Sequence, residues 1–225
     1  GQIEAHTEDW SGPFSSLEVG DFEGTGALEV ATATAHGHAG SFGGAPLVLT
    51  FADGRLKRFP PQDWNSSSSS EILGVDSAQL DTDAPLELCL FSHSGVGCFD
   101  GLDFSEQWWV SQSSWKRAIA IGELDGDGLP EVLVGDQVAL VYAFEGDSGW
   151  LRWRTPPSTP TYPGIYRLRL LDVLGDSRQE VLASSALGPN SRIWAFDASS
   201  GLLAAGPWST DVQSMNPSPA TGGAA

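Results

Sequence analysis

Four carboxylates stand in the short segment Glu123-Leu-Asp125-Gly-Asp127-Gly-Leu-Pro-Glu131, three of them at alternate positions. Alternating acids on a tight turn supply the several oxygen ligands that a hard cation takes. The same acids can instead hold the turn by accepting backbone N–H bonds. Paired carboxylates also do acid–base catalysis. That third reading is disfavoured because acids recur at the same register elsewhere, at Asp21, Glu23 and Glu29 and at Asp81, Asp83 and Glu87. A catalytic pair has no reason to be copied along a chain.

Other chemistry is sparse. His36 and His38 share the glycine-rich stretch 35–44, where two imidazoles could face one side of an extended chain, but no third ligand follows at a clear spacing. His93 falls in an expected hairpin turn and His6 near the start. The sequence holds no nucleophile elbow, phosphate loop or zinc-helix motif.

The elements that position the acids form a repeat. Around Glu29, Glu87, Glu131 and Glu180 the chain runs apolar strand, acidic turn, carboxylate, apolar strand, with spacings of 58, 44 and 49 residues. Each unit goes on to a strand, a glycine turn and a strand ending near Trp, as in Val141-Tyr-Ala-Phe-Glu-Gly-Asp-Ser-Gly-Trp-Leu-Arg-Trp153 and Ile193-Trp-Ala-Phe-Asp-Ala-Ser-Ser-Gly201. Short β-branched and aromatic runs bounded by Gly, Asp and Ser are strand and hairpin signals. No segment sustains an apolar spacing of three and four, so little helix is expected. Four antiparallel strands per unit, repeated, predict an all-β protein, a β-propeller of about four blades, with a repeated two-hairpin sandwich as the alternative. The expected blades are 14–64, 71–112, 116–156 and 165–210, preceded by an N-terminal segment 1–13 and followed by a flexible tail 211–225.

The first half of each unit resembles the FG-GAP or VCBS repeat of integrin-like propellers, on Gly122-Glu123-Leu-Asp125-Gly-Asp127-Gly-Leu-Pro-Glu131 and Gly20-Asp21-Phe-Glu23-Gly-Thr25-Gly-Ala-Leu-Glu29. The second half is similar to the strand–turn–strand endings of PQQ-like blades. The resemblance implies calcium at the first, third, fifth and ninth positions of the acidic turn. The third unit keeps all four ligands, Glu123, Asp125, Asp127 and Glu131, and is the expected Ca2+ site. Weaker sets are Asp21, Glu23, Thr25 and Glu29 in the first unit, and Asp81, Asp83 and Glu87 after a neutral Gln79 in the second. In the fourth, Leu174 replaces a ligand between Asp172 and Asp176, so no ion is expected there. The relatives close with seven or eight blades. Four blades therefore imply a small ring, a homo-oligomer or filament, or a protein partner that supplies the rest.

Net charge is −18, from 29 acids against 11 bases, which argues against nucleic acid and against anionic membrane surfaces. No apolar run is long enough to span a bilayer, so no membrane insertion is expected. The chain begins at Gly1 without a leader pattern and reads as a processed mature chain or a fragment. If 86–92 and 95–100 form a hairpin around His93-Ser94, Cys89 faces Cys98 as a non-hydrogen-bonded pair close enough for a disulfide. Two buried free thiols are the alternative. Asn65-Ser-Ser is an N-glycosylation pattern in a polar stretch. Together these point to an extracellular or cell-surface location.

Trp64, Trp108, Trp153 and Trp208 recur at or just after the last strand of a unit, which predicts packing between blades. Trp109, Trp115 and Trp150 remain as rings that could meet a glycan. The expected function is a non-enzymatic extracellular scaffold, adhesion or assembly module. The alternatives are a carbohydrate-binding or polysaccharide-processing propeller and an intracellular assembly subunit.

Overall fold

The computed structural model describes residues 14–34, 46–50, 56–58, 72–156, 164–185 and 191–209. These residues form sixteen strands and no helix. The strands make four antiparallel sheets of four, each in simple up-and-down order. The first sheet holds β1 (Phe14–Gly20), β2 (Glu29–Thr34), β3 (Pro46–Thr50) and β4 (Leu56–Arg58). The second holds β5 (Ile72–Ala78), β6 (Glu87–Ser92), β7 (Gly95–Phe99) and β8 (Glu106–Ser111). The third is β9 (Lys116–Gly122), β10 (Glu131–Asp136), β11 (Val141–Glu145) and β12 (Leu151–Arg154), and the fourth β13 (Ile165–Leu171), β14 (Glu180–Ser185), β15 (Arg192–Asp197) and β16 (Leu203–Ser209). Each sheet is one blade of a β-propeller. The N-terminal segment, the Asn65 acceptor, His36, His38, Trp64 and the tail beyond 210 lie outside the described residues.

The middle strands of the blades are buried on both faces, because a blade is packed between neighbours. In β6 and β10 every residue is buried, which explains their continuous apolar runs. Three apolar clusters fill the three seams. The first joins Ala31, Ala33 and Val48 of blade one to Ile72, Leu88, Leu90 and Phe99 of blade two. The second joins Cys89, Phe91 and Trp108 to Val132, Val134, Tyr142 and Phe144. The third joins Leu133, Ala143 and Trp153 to Leu168, Val181, Trp194 and Phe196.

Two of the seams are pinned by tryptophan at their outer end. The Trp108 indole donates its N–H to Gly146 O at 2.7 Å, and the Trp153 indole donates to Ala198 O at 2.8 Å. Each ring lies on the glycine of the next blade's turn, at Gly149 and Gly201, where an added Cβ would come within 2.6 and 2.4 Å of the ring. Both glycines also have positive φ, so no other residue fits there without strain. Trp208, at the corresponding end of the last blade, is exposed.

The inner strands β1, β5, β9 and β13 pack on one another in succession. Between the first two, Ser16 Oγ accepts from Val75 N at 2.7 Å; between the next two, Asp76 Oδ2 accepts from Ile121 N at 3.1 Å. The four strands line a cavity of 590 Å³ that holds Glu18, Asp76, Arg117, Arg167 and Arg169. No comparable packing joins β13 back to β1 among the described residues.

Cys89 and Cys98 are directly opposed on β6 and β7 and form a disulfide, as the hairpin register predicts. The bond staples the centre of the second blade.

Candidate metal centre

The acidic turns lie between the first and second strand of each blade, and one interaction is common to all four. The closing glutamate turns inward and its Oε2 accepts the backbone N–H seven residues earlier. The distances are 2.9 Å for Glu29 with Phe22, 2.5 Å for Glu87 with Leu80, 2.7 Å for Glu131 with Leu124 and 2.9 Å for Glu180 with Val173. All four glutamates are buried. Glu180 does this in the turn where Leu174 breaks the ligand pattern. The first task of this residue is therefore to latch the turn.

The acid that opens the turn mostly caps backbone. Glu123 accepts from the N–H groups of Asp125, Gly126 and Gly128. Asp172 accepts from Gly175 and Ser177. Asp21 accepts from Thr25 and Gly26, and these bonds hold its carboxyl below the usual range.

Two turns bring their acids together. Ligand oxygens of Glu123, Asp125, Asp127 and Glu131 lie within 4.8 Å of one another, and so do those of Asp81, Asp83 and Glu87. The first turn does not form such a group: the carboxylates of Asp21, Glu23 and Glu29 do not converge.

The two convergent turns differ in what faces them. In the third, Arg152 of β12 reaches into the acids. Its guanidinium pairs with Asp125 Oδ2, lies 3.5 Å from Glu131 Oε1 and is 3.1 Å from Glu145 Oε1. This internal cation already neutralises part of the site. In the second turn the position before the outer tryptophan is Gln107, whose amide donates to Asp81 Oδ2 at 3.1 Å and brings no charge. There Glu87 Oε1 is buried and has no hydrogen-bond partner. A buried carboxylate oxygen without a partner is costly unless something positive meets it. The second turn therefore faces its acids with no internal cation, whereas the third, which the ligand count ranks first, already holds Arg152. Arg152 is the residue the ligand count misses. Its signal is the register Arg152-Trp153 against Gln107-Trp108 on matching last strands.

Burial and neighbouring acids push both closing carboxyls up to about 7: burial acts first on Glu87, with Asp81 and Asp83 adding, and burial acts first on Glu131, with Asp125 and Glu123 outweighing part of the help from Arg152. Glu18 in the cavity is also raised to about 7, by burial and then by Asp76. For an acid raised in the folded state, the folded protein binds the extra proton. Stability then falls as pH climbs from about 4.5 through about 7 and levels off above. We expect the melting temperature of chelator-treated protein to drop between pH 5 and 8, and Glu87→Gln to flatten that slope. Carboxyls held low, such as Asp125 and Asp197, lose their stabilisation only as pH falls through their own folded values, on the far acid side.

The tryptophans considered for glycan contact divide. Trp150 is 77% exposed. Trp115 stacks on His93 with ring centres 4.4 Å apart, while Trp109 packs against the first seam. They do not form one aromatic platform.

No family model matches the chain, and no curated protein matches it. Solved structures do. A computationally designed protein, Ika4, aligns with a TM-score of 0.57 at 15% identity, over 87% of this chain and 98% of its own. The Vibrio cholerae biofilm matrix protein Bap1 aligns with a TM-score of 0.58 at 15% identity, over 84% of this chain but only 27% of Bap1. BBS1N, solved in complex with ARL6DN, aligns with a TM-score of 0.57 at 7% identity, over 82% of this chain and 55% of that one. At these identities the likeness shows the β-propeller fold alone.

Proposed function

We propose that this chain is a calcium-stabilised propeller segment of the FG-GAP or VCBS type that serves outside the cell as a scaffold, adhesion or assembly module. The observation that carries the reading is the unpartnered buried Glu87 Oε1, converging with Asp81 and Asp83 at the rim of blade two. Asp81, Asp83 and Glu87 would hold the ion there. Bound calcium would supply fixed positive charge, cancel repulsion among the acids and lock the loop between the blade's first two strands. In the third turn Glu123, Asp125, Asp127 and Glu131 offer a second place once Arg152 withdraws.

The disulfide supports an oxidising compartment, and the net charge of −18 suits a surface whose counter-ion is a free cation. The acids of the turns are occupied with backbone capping in every blade, which favours a structural role over acid–base chemistry.

Thermal melting tests the reading. A ligand that binds only the folded state stabilises by about 2.7 kcal/mol at one hundred times its dissociation constant. Millimolar calcium should raise the melting temperature of the chelated protein by several degrees. Asp81→Asn combined with Asp83→Asn should remove most of that rise. An equal rise in the double variant, or none in the parent protein, would defeat the proposal.

A further inference from the structure

The same face pairing makes all three seams. Measured from the closing glutamate, the residues one and three positions on face the preceding blade: Leu88 and Leu90 in blade two, Val132 and Val134 in three, Val181 and Ala183 in four. Their partners on the inner strand share that face, with Val75 opposite Leu90, Ile119 and Ile121 opposite Val134 and Val132, and Leu168 and Leu170 opposite Ala183 and Val181. In blade one the same positions are Leu17 and Val19, opposite Thr32 and Val30. Val75 and Leu168 are 3% and 1% exposed, whereas Leu17 and Val19 are 63% and 52% exposed. Leu47 and Leu49, farther out on this face, are buried, so the open part runs along β1.

The opposite face of the last blade is open in the complementary way. The residue seven before each closing glutamate packs under the next blade, and Phe22, Leu80 and Leu124 are 0%, 0% and 8% exposed. Its fourth counterpart, Val173, is 42% exposed, beside Leu171 at 53%. Among the described residues no following turn meets the Trp208 ring, which is 44% exposed.

We propose that a second copy of this chain covers both faces head to tail, so that two four-bladed arcs close one eight-bladed ring. The contact continues an interface the chain already makes three times, inner strand on inner strand, with β13 of one copy standing to β1 of the other as β9 stands to β13. Arg167 and Arg169 lie on the open face of β13, across the strand from Leu168 and Leu170, while Glu18 points away from the open face of β1, opposite Ala31. A head-to-tail contact closes into a ring when the rotations sum to a full turn, and eight blades lie within the range propellers adopt. The inference is independent of the calcium reading, and it is tested both in calcium and in chelator so that failure of one does not decide the other.

Sedimentation of the 225-residue chain at micromolar concentration should give a particle of twice 23.8 kDa. Leu17→Glu with Val19→Glu should weaken association about thirtyfold or more, and so should Leu171→Glu with Val173→Glu, because charge enters the centre of a packed seam. All four sites are exposed in the single chain, so its folding is not at stake. An equimolar mixture of the two variants should recover a dimer held by one sound seam, the β13 face of the first variant on the β1 face of the second, with the other seam left open. A monomer, a particle larger than two copies, or a mixture that stays monomeric would overturn the proposal.

Discussion

Replacing Trp153 by alanine is expected to cost about 3–5 kcal/mol, the range for removing a large buried aromatic ring. The ring fills the outer end of the third seam, and its N–H holds Ala198 O. The variant would leave a cavity against Gly201, whose lack of a side chain exists to receive the ring, and a carbonyl without its donor. Trp150→Ala, at a ring that is almost fully exposed, should change stability by no more than about 0.5 kcal/mol. Urea unfolding of the two variants side by side separates a tryptophan that makes a seam from one that merely recurs. Equal costs at the two positions would remove the seam account.

The second large effect belongs to Arg152. Its guanidinium stands among Asp125, Glu131 and Glu145, where a divalent ion would have to compete with it. Arg152→Gln copies the arrangement of Gln107 in blade two. It should tighten calcium at the third turn on the order of tenfold or more, since a positive charge a few ångströms from the ion is removed from a partly shielded site. Without calcium the same variant should lose stability, because Glu131 then keeps its burial and its acidic neighbours with no cation beside it. Calorimetric titration together with melting in chelator reads both signs. A variant that is weaker in both would show Arg152 to be purely structural.

Much of the fold is legible in the sequence because the repeat states it four times. The strands, the turn positions and the Cys89–Cys98 register follow from alternation, glycine placement and hairpin geometry. The cation that faces the third turn does not. Counting oxygen-bearing side chains favours Glu123 to Glu131, whereas the competing cation comes from the far end of the blade, at a position that reads on its own as an ordinary strand residue. The role of the closing glutamate is half-hidden in the same way. Its presence in the fourth turn, beside Leu174, is the clue that it serves the backbone before any ion. Trp208 shows the opposite limit: sequence register groups it with Trp108 and Trp153, but a seam needs a blade on the other side, and no register can say whether one is there.

The number of calcium ions the protein holds, and which turn holds them, can be read by dialysis. Equilibrium dialysis of the parent protein at neutral pH should find an ion that is lost in the Asp81→Asn, Asp83→Asn double variant and kept in Asp125→Asn with Asp127→Asn. A protein that binds no calcium, or one whose ion survives the first pair of substitutions and vanishes with the second, would contradict the assignment of the cation to blade two.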